Sequence, residues 1–119
     1  MATALRFAIL ARVSTEEQEK GASLEVQEKE LRQCVQSKGG IVVKTYIGQE
    51  SAMGKKSRLI FNQLLADSSR GLFDAVMVYD QSRWSRSPAQ SHHGLEVLLE
   101  NNVRYFIQCT EYDLHNPDN

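Results

Sequence analysis

Residues 5–18 read LRFAILARVSTEEQ. As far as Ala11 the stretch is apolar and broken only by Arg6. Such a run fits a strand buried on both faces of a sheet better than one with a wet face. The chain then turns polar at Arg12-Val13-Ser14-Thr15. Arginines sit within the apolar part and no small-residue cleavage site follows, so residues 1–14 are expected to form a first strand and not a signal peptide. Three more segments share the strand character. Residues 41–46 (IVVKTY) follow Gly39-Gly40, residues 74–79 (DAVMVY) follow Gly71, and residues 103–107 (VRYFI) follow Asn101-Asn102.

Helical patterns lie between them. Over 23–38, Leu24, Leu31, Cys34 and Val35 form one stripe, with Ser23 placed to cap. Over 58–69, Phe61, Leu64 and Leu65 share a face, with Ser57 as the cap candidate. Over 88–101, Ser87 can cap, Pro88 suits the first helical position, and Ser91, Leu95, Leu98 and Leu99 share a face. Strands alternating with helices predict an α/β domain in three layers, with a mostly parallel sheet of four or five strands. At 119 residues the chain is expected to be one domain, 1–119.

Composition narrows the function classes. The chain is 41% hydrophobic and 24% charged, as in ordinary soluble domains, and has no apolar run long enough for a membrane span. A net charge of −1 argues against a simple basic nucleic-acid binder. The charge is unevenly spread, however. Residues 1–50 are neutral, 51–90 carry +3, and 91–119 carry −4. An anionic ligand is therefore favoured near the middle of the chain. Cys34 and Cys109 are far apart in sequence and fit no metal spacing, so reduced thiols in a cytoplasmic protein are expected. His92 and His93 are adjacent on a helix, a poor arrangement for a metal pair. Trp84 is expected to anchor packing rather than stack on a base.

In open parallel sheets, sites form beyond the C-terminal strand ends. The residues there are Arg12 through Gln18 after the first strand, Ile47 through Ala52 after the second, Asp80-Gln81-Ser82-Arg83-Trp84-Ser85-Arg86 after the third, and Gln108 through Glu111 after the fourth. Three arginines and a serine thus gather at one sheet edge, with Arg58 opening a nearby helix. Guanidinium binds phosphate through two parallel donors and stays charged, which suits phosphoryl transfer through a serine nucleophile. Neither GxxxxGK[ST] nor GxGxxG occurs, so no nucleotide site is indicated. Gln27 falls on the apolar stripe of its helix, three after Leu24 and four before Leu31, where an inward hydrogen bond is expected.

ARVSTEEQ, SLEVQ, the E-S-A turn with downstream Arg58, and SRWSR together resemble the catalytic domain of the serine recombinases, the resolvase/invertase family. The resemblance runs from about residue 5 to 114. It implies a metal-free, cofactor-free cleavage of double-stranded DNA, with strand exchange and religation through a 5′-phosphoserine. By the motif, Ser14 would be the nucleophile and Arg12 would contact the scissile phosphate. Arg83 and Arg86 would neutralise its oxygens, while Arg58, Gln27 and Ser51 would match further site positions. Asp80 reads first as a strand-end turn residue hydrogen-bonded to nearby backbone; if the third strand runs on through residue 82, it is instead a candidate carboxylate for the same wall.

Four positions depart from the family pattern: Leu10 replaces a tyrosine, Gly48 and Ser82 replace aspartates, and Ala52 replaces a glycine. The longer stretch before SLEVQ and the TEYDLHNPDN tail favour the large-recombinase branch. A separate DNA-binding domain and self-association to a dimer or tetramer belong to the full-length family members. The 119-residue chain alone is accordingly expected to bind duplex weakly and not to recombine it. The rival reading is a catalytically impaired DNA-associated or regulatory domain that keeps the phosphate cradle. A receiver-like module would need an acidic metal pocket, for which Asp80 alone is too little.

Overall fold

The computed structural model describes residues 4–14, 23–50, 55–85 and 87–114; the side chains of 13, 14, 49, 50, 55–58 and 82 lie outside that description. Five strands form one sheet: β1 (Arg6–Ser14), β2 (Ile41–Glu50), β3 (Ala75–Val78), β4 (Arg104–Ile107) and β5 (Thr110–Tyr112). The spatial order is β2-β1-β3-β4-β5. All neighbours are parallel except the β4–β5 hairpin. Four helices connect them: α1 (Leu24–Ser37), α2 (Lys55–Ser69), α3 (Gln81–Trp84) and α4 (Pro88–Glu100).

The order explains the three layers. The chain moves one way from β1 to β2, then returns across β1 to β3 and on to β4. Right-handed crossovers therefore put α1 on one face and α2 with α4 on the other. The core is split accordingly. Under α1, Leu31, Cys34 and Val35 pack on Phe7, Ile9, Ala75, Met77 and Phe106. On the other face, Phe61, Leu64 and Leu65 of α2 and Leu98 of α4 pack on Ala8, Leu10, Val76, Val78 and Tyr105. Residues 7–11 of β1 are fully buried, as befits a strand covered on both faces.

Ser23 caps α1 by accepting from the Val26 N–H, and Ser87 caps α4 with Pro88 in its first turn, both as the sequence indicates. Three expectations need correction. First, α2 starts at Lys55, so Ser57 lies inside the first turn and is not the cap. Second, β3 ends at Val78 and does not run on through residue 82, which leaves Asp80 as the turn residue of the first reading: it caps the one-turn helix α3, its carboxylate accepting the Arg83 N–H. Third, Cys34 and Cys109 are not free thiols; they form a disulfide with a Cα–Cα distance of 5.1 Å across 75 residues. Their sequence separation hid the contact, because α1 lies over the sheet against the turn that joins β4 to β5.

A polar cluster ties β2 to α2. The Tyr46 hydroxyl donates to the Asp67 carboxylate at 2.5 Å, and Gln63 donates to its other oxygen at 2.9 Å. The hydrogen bond from Tyr46 holds Asp67 below the usual carboxylate range, while burial, reinforced by Asp67, pushes the Tyr46 phenol well above its ordinary value. At the N-terminal end of β1, Arg6 forks onto Asp74 (2.9 and 3.0 Å) and depresses its carboxyl.

Candidate active site

The switch in strand order falls between β1 and β3, and the crevice beyond their C-terminal ends is where open α/β sheets place ligands. β1 outruns its neighbour there. The β1–β3 pairing stops at Leu10 opposite Val78, whereas the β1–β2 ladder continues through Arg12 opposite Gly48 to Ser14 opposite Glu50. Arg12 and Ser14 are thus held on a strand end and not on the loop after it.

Arg12 is 5% exposed. Its backbone is gripped by Gln27, which is completely buried. The Arg12 N–H donates to Gln27 Oε1 at 3.2 Å, and Gln27 Nε2 donates to the Arg12 carbonyl at 3.0 Å. A primary amide offers one acceptor and donors on one short fork, so Gln27 makes with Arg12 the pair of bonds that a neighbouring strand would make. The inward glutamine read from the helical stripe is therefore a fastener of the strand end.

Arg83 reaches the same edge from β3. It is 7% exposed and sits in α3, which packs against β1 as well as β3. Its Nε lies 3.9 Å from Asp80 Oδ2. Asp80 therefore both caps the helix and faces the guanidinium, through turn chemistry rather than along an extended strand. The next residue fixes the helix. Trp84 is fully buried, edge-on to Phe61 (4.7 Å between centroids) and Tyr105 (5.2 Å), and its indole N–H donates to the Ser91 carbonyl at 3.1 Å. Gln81 completes the attachment, donating to Ser91 Oγ and accepting from the Tyr105 hydroxyl. Trp84 is a packing anchor, as expected.

The aromatic fit depends on Gly94, a residue the sequence reading passed over. A Cβ there would stand 2.5 Å from Phe61 Cζ and 2.7 Å from Trp84 Cζ2. A mid-helix glycine is otherwise unfavourable, and that cost is the signal that could have found it.

Of the other expected site residues, Arg58 lies in the first turn of α2 with its side chain outside the description, as is that of Ser14. Ser51 and Arg86 lie outside the described residues, as does Ala52. Two of the departures have visible neighbours. Leu10 is buried in the core under α2 and α4, and a side chain at Gly48 would collide with Cδ1 of Ile60. Among the described residues no cluster of His, Cys, Asp and Glu could hold a metal ion, and no helix is long and apolar enough to cross a membrane. An apolar recess of about 220 Å³ between α4 and β5, lined by Leu95, Leu99, Tyr112 and Leu114, contains none of the candidate residues.

Comparison with known proteins identifies the family and the fold. Residues 7–119 match the sequence model of the family described as "Resolvase, N terminal domain". A protein of Bacillus subtilis (strain 168) named "Putative DNA recombinase" is 38% identical over 81 residues, covering 67% of this chain and 16% of its own length. The chain thus spans a small part of that relative. The crystal structure of the N-terminal catalytic domain of TP901-1 integrase superposes with a TM-score of 0.75 at 27% identity, covering 88% of this chain and 79% of that one. The motifs, the doubly covered sheet and the match along almost its whole length place this chain in the resolvase N-terminal domain family, the catalytic domain of the serine recombinases.

Proposed function

We propose that this domain cuts and rejoins double-stranded DNA by transesterification, with Ser14 as nucleophile. The carrying observation is that Arg12 and Arg83, seventy-one positions apart by their numbers, are both buried at the C-terminal ends of the two central strands. Guanidinium binds phosphate through two parallel donors and stays charged, and family membership points to a phosphodiester as the ligand. In the reaction, Ser14 Oγ attacks the scissile phosphorus, a new P–O bond to serine forms, and the bond to the 3′-oxygen breaks. The leaving 3′-alkoxide takes up a proton. Reversal by a 3′-hydroxyl from another strand religates the DNA with no net loss of phosphoester bonds.

Arg12, Arg83 and Arg86 neutralise the phosphate oxygens as charge develops, with Arg58 and Ser51 completing the cradle. Gln27 acts through the backbone of Arg12, and Asp80 orients Arg83. The full-length protein acts in the cytoplasm as a dimer or tetramer and takes its target preference from a separate DNA-binding module. The test is covalent capture on a nicked duplex. Ser14→Ala in the full-length protein should abolish the protein–DNA adduct while leaving the thermal midpoint unchanged; adducts at the unaltered level would refute the nucleophile.

A second reading, a phosphate-binding regulatory domain that has lost turnover, is favoured by Leu10 and Gly48. Leu10 is buried in the core and Gly48 faces Ile60, at the two positions where the resemblance would expect a tyrosine and an aspartate. It predicts duplex binding without adduct formation by the unaltered protein.

A further inference from the structure

The disulfide joins unlike partners. Cys34 is nearly buried in the stripe of α1 that carries Gln27, whereas Cys109 is exposed in the turn between β4 and β5. Gln27 and Cys34 are seven residues apart, two turns of one helix, and both belong to its buried face. α1 is thus fastened to the sheet at two points: to the end of β1 by the Gln27 amide, and to the β4–β5 turn by a covalent bond. Disulfides in cytoplasmic proteins are characteristically transient or redox-sensing. An exposed thiol beside a buried one is also the arrangement in which the first is oxidised and the second resolves it.

We propose that Cys34 and Cys109 form a reversible redox modification site for a peroxide, and that its closure stiffens α1 and, through Gln27, the backbone of Arg12. The coupling to Arg12 rests on the proposed site, and the reversibility of the bond rests on the proposed cytoplasmic location. In the first step Cys109 Sγ attacks a peroxide oxygen, an S–O bond forms, the O–O bond breaks, and water leaves after protonation. Cys34 Sγ then attacks Cys109 Sγ, the S–S bond forms, and the sulfenic oxygen leaves as a second water. Two thiols lose two electrons and two protons, and one peroxide is reduced to two waters. A dithiol reductant reverses the process.

The experiment starts from fully reduced full-length protein treated with hydrogen peroxide. Intact mass should fall by two hydrogens, peptide mapping should join residues 34 and 109, and dithiothreitol should reverse both. Amide exchange at Arg12 and along the second half of α1 should slow by roughly tenfold in the oxidised form. Cys109→Ser, an exposed substitution, should remove both the mass change and the peroxide dependence of exchange; Cys34→Ser is the second variant. Intermolecular dimers or higher sulfur oxides in place of the 34–109 bond would overturn the proposal. So would closure of the bond with exchange at Arg12 unchanged. Since neither readout uses DNA, loss of the Ser14 assignment would leave this result standing, and the reverse also holds.

Discussion

Helices on the two faces of the sheet hold the two arginines in different ways. From the α1 side, Arg12 is held by polar fastening: an amide side chain bonded to the arginine's own backbone. From the α2/α4 side, Arg83 is held by apolar packing of its neighbour, Trp84, in an aromatic stack that a glycine makes possible. The difference teaches that one site can rest on two kinds of support with different failure modes. Packing and stability are inseparable on the Trp84 side. A hydrogen-bonded fastener can fail with less damage to the fold.

Trp84→Ala should break the comparison most strongly. It removes the largest fully buried side chain and should cost ~3–5 kcal/mol, measured by denaturant unfolding. A cost below about 1 kcal/mol would mean the stack does not anchor α3. Gly94→Ala should cost ~1–3 kcal/mol through overpacking against Phe61 and Trp84, even though alanine favours helix. A more stable variant would show that the slot has slack. Gln27→Leu is roughly isosteric but leaves the Arg12 N–H and carbonyl without their amide, at ~1–3 kcal/mol. Its adduct-forming rate should fall by about a hundredfold, the effect of losing transition-state geometry. Equal loss of rate in a surface variant of matched stability would assign that effect to folding alone.

The smallest effect concerns pH. Asp67, Asp74 and Glu111 are held low by Tyr46, Arg6 and Arg104 respectively. Their stabilisation is fully present above the usual carboxylate pKa of about 4 and is lost as pH falls through the lower folded values. Tyr46 and Tyr105 are raised, chiefly by burial, so they add a loss as pH climbs past about 10. Thermal midpoints should be flat from about pH 5 to 9 and fall on both sides. A midpoint that rises below pH 4 would contradict these assignments.

What was legible in the sequence follows from the physics of each element. Long amphipathic or fully apolar segments announce themselves by period, so β1 to β4, α1 and α4 lie within a few residues of their expected places. The sheet edge that gathers Arg12 and Arg83 was legible for the same reason, since strand ends fix it. The one-turn helix α3 is too short to show a period. The hairpin to β5 turns at Gln108-Cys109, with Gln108 at a φ of 52°, and carries no glycine or asparagine signal. The extension of β1 to Ser14 depends on partners supplied by β2, and the Cys34–Cys109 contact depends on how α1 crosses the sheet. Neither is a local property.

The central claim is that the buried arginines at this edge serve a phosphate. It is tested most directly by removing the charge from the substrate instead of the protein. A duplex with a methylphosphonate at the scissile position has lost one anionic oxygen, so a guanidinium that neutralises that charge becomes dispensable. Arg83→Ala should be crippled on the natural duplex and recover adduct formation to within about tenfold of the unaltered protein on the neutral one. If the variant is equally impaired on both substrates, Arg83 does not act on the phosphate charge and the account is wrong.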